Sequence, residues 1–71
     1  MKPLVLWCRW HEARLRLSGR DTDSVWGELA FPDRSQSFHF HLPSRRLTIG
    51  QGEIRSQCYL DEMGVEQASQ P

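Results

Sequence analysis

Residues 37–49 read Ser-Phe-His-Phe-His-Leu-Pro-Ser-Arg-Arg-Leu-Thr-Ile, and this stretch decides the fold class. Phe38, Phe40 and Leu42 alternate with His39 and His41, and past Pro43 and Ser44 the residues Leu47 and Ile49 alternate with Arg46 and Thr48. A period of two belongs to a half-buried strand, and neither run carries a helical stripe. Pro43 and Ser44 are turn formers, so the two runs read as a hairpin that sets Phe40 opposite Leu47 and Phe38 opposite Ile49.

Further turn-forming clusters lie at Ser18 to Ser24, Pro32 to Ser35 and Gly50 to Gly52. A four-residue loop at Pro32 to Ser35 would set Leu29 opposite Phe38, Gly27 opposite Phe40 and Val25 opposite Leu42, with Gly27 leaving room for the ring. A loop at Gln51 and Gly52 would set Ile49 opposite Ile54, with Cys58 on the same apolar side. A one-residue slip inverts every side chain of a strand, so three turns that agree on one apolar face support each other. The expected fold is mainly β: a small antiparallel meander running from residue 25 to about residue 58, with about five to six strands in all, as an open sheet or a small barrel.

The two ends are less regular. Residues 4–17 fit two strands joined near His11, with Ala13, Leu15 and Leu17 alternating against Arg14 and Arg16. They also fit one helix, since Leu4, Cys8, His11 and Leu15 fall at helical spacing, Pro3 suits a first turn and Gly19 a C-terminal stop. The strand reading is preferred because a single helix here would be apolar nearly all round at its start and polar at its end. Residues 53–63 read as strand, with a helical turn at Leu60 to Met63 as the alternative. Residues 1–63 are expected to form the one domain, and residues 64–71, Gly-Val-Glu-Gln-Ala-Ser-Gln-Pro, a loose tail with little to bury.

A chain of 71 residues has room for one core and buries roughly 60% of its unfolded surface. Its 38% hydrophobic content, with three Trp and three Phe, excludes a disordered chain. Nine basic and nine acidic residues cancel, so no global field draws the protein onto nucleic acid or an anionic membrane. The apolar run Leu4 to Cys8 is stopped by Arg9, too early for an export signal or a membrane span. A cytoplasmic location follows as an expectation, with Cys8 and Cys58 as reduced thiols and a single disulfide as the alternative.

The outward row of the meander is the most specific chemical feature. The register above sets Trp26 beside His41 beside Arg46, and Glu28 beside His39 beside Thr48, with Arg55 and Gln57 continuing the rows. Trp and Arg are the residue types that most often anchor interfaces. Trp26, Glu28, His39, His41, Arg46 and Arg55 are therefore the expected partner-binding residues. Glu28 with His39 lacks a nucleophile and an oxyanion site, so no catalytic residue is assigned and no enzyme is expected. The pair His39 and His41, like Cys8 with His11, supplies two donors where zinc needs three or four, and Arg46 beside His41 repels a cation. A His-based metal site is the second alternative, and no metal or cofactor is assigned.

The first alternative is a small β-domain for single-stranded nucleic acid, with bases stacked on Trp26 and His41 and phosphates on Arg46 and Arg55. Neutral charge counts against it, since counterion release supplies most of such affinity. The expectation is a small non-enzymatic interaction module, an accessory or inhibitory protein of bacterial or phage type, that binds a larger cytoplasmic protein. Exposed edge strands leave a homodimer open.

Overall fold

The computed structural model describes residues 1–67. A helix α1 (Lys2–Trp10) precedes six strands: β1 (Arg14–Arg20), β2 (Ser24–Ala30), β3 (Ser35–His41), β4 (Arg46–Ile49), β5 (Ser56–Leu60) and β6 (Glu66–Gln67). The strands form one open antiparallel sheet in the order β1-β2-β3-β4-β5-β6, a plain meander.

The central hairpin has the register its sequence implies: Phe38 pairs with Ile49, His39 with Thr48, Phe40 with Leu47 and His41 with Arg46. The connection is held by Arg45 in a left-handed conformation, φ 58°, whose Nε donates to Leu60 O at 2.9 Å while Leu60 N donates back to Arg45 O at 2.9 Å.

The flanking hairpins keep the expected faces but slide by two residues. β2 pairs with β3 so that Val25 meets Phe40, Gly27 meets Phe38 and Leu29 meets Gln36. The cause is a tight turn at Pro32 and Asp33, closed by Phe31 N donating to Arg34 O at 2.7 Å, where a four-residue loop was expected. Across the next connection Ile49 pairs with Ser56 and Leu47 with Cys58, so the loop takes Gly50 to Arg55. Gly50 (φ 95°) and Gly52 (φ 61°) are both left-handed, and Gly50 N donates to Ser37 O, continuing the β3–β4 pairing by one residue before the chain turns toward β5. Ile54, expected opposite Ile49 in the core, lies in this loop and is 85% exposed.

The N-terminal third contains one helix and one strand, and the two-strand reading fails at residues 2–10. Leu4, Trp7 and Cys8 fall at i, i+3 and i+4 and are buried, Pro3 sits in the first turn as expected, and Ala13 N donates to Cys8 O as the chain leaves. Glu12, φ 55°, makes the left-handed exit that the one-helix alternative assigns to Gly19. Nine residues of isolated helix are marginal in water, so α1 depends on the sheet it covers.

The core lies between α1 and one sheet face: Leu4, Trp7 and Cys8 meet Val25, Leu29, Phe38, Phe40, Leu47 and Leu60, with Leu15, Leu42, Ile49 and Cys58 packed around them. Trp7 is its best-anchored member. The indole stacks on His11 at 4.1 Å, meets Phe31 edge-on at 6.2 Å, and donates from Nε1 to Glu66 Oε2 at 2.9 Å. That bond ties α1 to β6. Residues 64–67 are thus part of the fold where a loose tail was expected: Gly64 is buried and Glu66 and Gln67 pair with Leu60 and Tyr59. The rest of the expected tail, residues 68–71, lies outside the described residues.

Candidate partner-binding face

One face of the sheet carries α1, and the other has no layer over it among the described residues. Three rows cross that open face. The first runs Arg16, Glu28, Ser37; the second Trp26, His39, Thr48, Gln57; the third Ser24, His41, Arg46, Tyr59.

Trp26 begins the second row. Its ring lies parallel to His39, 7° between planes and 6.2 Å between centroids, an offset stack. On its other side it rests on Gly19 of β1, where an added Cβ would come within 2.8 Å of the ring. The indole is thus fixed between a glycine and an imidazole, and it remains 36% exposed. In the third row, His41 Nδ1 shares a 2.7 Å hydrogen bond with Ser44 Oγ, and Tyr59, 38% exposed, flanks Arg46. The Nε of Arg46 is buried with no hydrogen-bond partner among the described residues. A buried unpaired donor costs about 1–3 kcal/mol.

Of the six residues expected on this surface, five share the open face and one does not. Trp26 neighbours His39 and not His41; Glu28 neighbours Ser37 and Arg16, the latter at 3.8 Å, and not His39. His41 and Arg46 are adjacent as expected. Arg55 lies before β5 in the loop, and the place beside Arg46 assigned to Gln57 belongs to Tyr59. All three differences follow from the two-residue slides.

The metal alternative gains no third donor. No group of three or more His, Cys, Asp or Glu side chains converges among the described residues. Cys8 is on the helix, across the core from His39 and His41, and Cys8 and Cys58 are free thiols. Burial pushes both up to about 11, aided at Cys58 by the nearby Glu66 carboxylate. No helix is long and apolar enough to cross a membrane.

Tyr59 and Trp10 were missed by the sequence reading. Tyr59 follows once β4 and β5 are set in register. Trp10 ends α1, is 69% exposed, and lines an open groove of about 410 Å³ with His11, Gly64, Val65 and Glu66. Helical spacing puts Trp10 on the Leu6 side of α1, which strand alternation does not reveal.

Comparison of the chain with known protein families, with curated proteins and with solved structures gives no match.

Proposed function

We propose that this protein is a small interaction module that binds a larger cytoplasmic protein through the open face of its sheet, as an accessory or inhibitory subunit. One observation carries the reading: among the described residues the six-stranded sheet leaves one face without a layer over it, and on that face Trp26 is held flat beside His39, with Arg46 and Tyr59 in the next row. Fixed aromatic rings supply contact area at little entropic cost, and Arg46 adds the residue type that, with Trp and Tyr, most often anchors interfaces. His39, His41 and Glu28 shape the surface around this centre, and Arg16 extends it. Arg55 belongs to its rim.

The test is capture from extract with a tag on the C-terminus, in nuclease-treated and untreated halves, by the natural chain and by Trp26→Ala/Arg46→Ala. A stoichiometric protein that survives nuclease and is lost with the double variant, while the variant keeps its circular dichroism, supports the proposal. A partner retained by a folded double variant refutes it. Recovery of nucleic acid, or of a partner lost on nuclease treatment, replaces it with single-strand binding.

A further inference from the structure

β1 ends the sheet, and among the described residues no segment pairs with its outer side. The opposite end is formed by β6 (Glu66–Gln67), so among the described residues β1, with seven, is the longer edge. An edge strand presents unpaired N–H and C=O groups to solvent, and proteins use such edges to take up a strand from a partner. The β1 ladder shifts between Leu17 and Gly19, leaving Ser18 out, so the uninterrupted frame is Arg14 to Leu17.

Side chains in that frame alternate in chemistry as well as in face. Arg14 and Arg16 project onto the open face; Leu15 and Leu17 project onto the apolar face. Leu15 is half-buried against the core, whereas Leu17, at the rim, is 49% exposed. Arg16 makes one loose ion pair, 3.8 Å to Glu28 on β2, and its side chain stays 72% exposed.

Charge selects what pairs there. A second copy can add antiparallel through Arg14 to Leu17 with both apolar faces aligned, but each such register with more than one pair sets Arg opposite Arg, which destabilises a sheet. An acidic side chain in the same place is favoured. The other face asks for an apolar residue to extend the core over Leu17.

We propose that the β1 edge takes up, as a seventh strand, an extended segment of a partner protein in which acidic residues alternate with apolar ones. Acidic side chains pair with Arg14 and Arg16, and apolar ones cover Leu15 and Leu17. The inference rests on the interaction-module reading and gives the chemistry of the partner segment.

The probe is a short capped peptide of alternating Glu and Val, titrated into isotope-labelled protein at low and high salt. Amide shifts centred on Arg14 to Leu17, slowed exchange of the outer N–H groups and weaker binding at high salt are expected. Arg14→Glu/Arg16→Glu should lose affinity for this peptide by about tenfold or more and gain it for the alternating Lys and Val peptide. Should that variant fail to give the natural spectrum, Arg14→Gln/Arg16→Gln removes the charges alone and should also weaken binding. Shifts centred elsewhere, no binding, or affinity indifferent to these substitutions overturns the inference. Should the peptide fail while Trp26→Ala/Arg46→Ala still abolishes partner capture, the edge is wrong and the sheet-face reading stands.

Discussion

Gly27→Ala tests whether β1 is held as closely against β2 as the structure has it. An alanine Cβ at this position would lie 2.0 Å from Arg16 O and 2.8 Å from Ser18 N, both backbone atoms of the neighbouring strand. Ordinary contact begins near 3.4 Å, so β1 would have to retreat by about 3.4 − 2.0 = 1.4 Å at this point. Paired strands sit about 4.7–4.9 Å apart, and a retreat of that size breaks the adjacent ladder bonds. Two lost hydrogen bonds at about 1 kcal/mol each, with about 1–3 kcal/mol for overpacking, are offset by about 0.5–1 kcal/mol of backbone entropy gained in replacing glycine. The net loss is about 2–4.5 kcal/mol, against a total stability of about 4–10 kcal/mol for a domain of this size. Urea unfolding followed by tryptophan fluorescence, together with hydrogen exchange along β1, measures it. An unfolding free energy within about 0.5 kcal/mol of the natural chain would refute the close approach of the two strands.

The remaining predictions concern the indole, the thiols and the β6 tie. Gly19→Ala also produces a short contact, 2.8 Å, but with side-chain atoms of Trp26 and not with backbone, so it should cost less stability than Gly27→Ala while it displaces the indole from its seat, shifts the indole N–H resonance and weakens partner capture. Folding raises both thiols to about 11 from 9.0, and a raised pKa gives stability that is complete below pH 9 and lost as pH climbs toward 11. Chemical unfolding at steps from pH 8 to about 11 should therefore show a smaller decline for Cys8→Ala/Cys58→Ala than for the natural chain, and thiol labelling near neutral pH should be slow. Glu66→Ala removes the acceptor of Trp7 Nε1 and should cost about 1 kcal/mol by urea unfolding, with faster amide exchange at Glu66 and Gln67.

The fold class is legible in residues 37–49 because the period of the strands, their turn formers and their apolar face all agree there. The helix is less so. Its run, Leu4 to Cys8, is too apolar to show a stripe, and its end is marked by a left-handed glutamate at position 12, where no glycine announces it. What makes residues 2–10 helical is tertiary: Leu4, Trp7 and Cys8 cap the apolar side of the sheet. Residues 66–67 likewise look too polar to belong to a core, yet Glu66 is held by the Trp7 indole across 59 positions of chain.

The candidate site divides along the same physical line. Alternation identifies a face, and a slide of two residues leaves every side chain on its face, so Trp26, Glu28, His39, His41 and Arg46 were correctly expected on one surface. Neighbours within that face are not protected in this way, because a slide of two changes each cross-strand partner. They are set by turns. The tight closure of Phe31 on Arg34, with the guanidinium 4.4 Å from the phenyl centroid, draws Trp26 opposite His39 in place of His41. The left-handed glycines at 50 and 52 lengthen the next loop and bring Tyr59 beside Arg46. Alternation therefore limits which groups share the surface, and turn geometry decides which of them are neighbours: an indole on an imidazole, and an arginine between a histidine and a tyrosine.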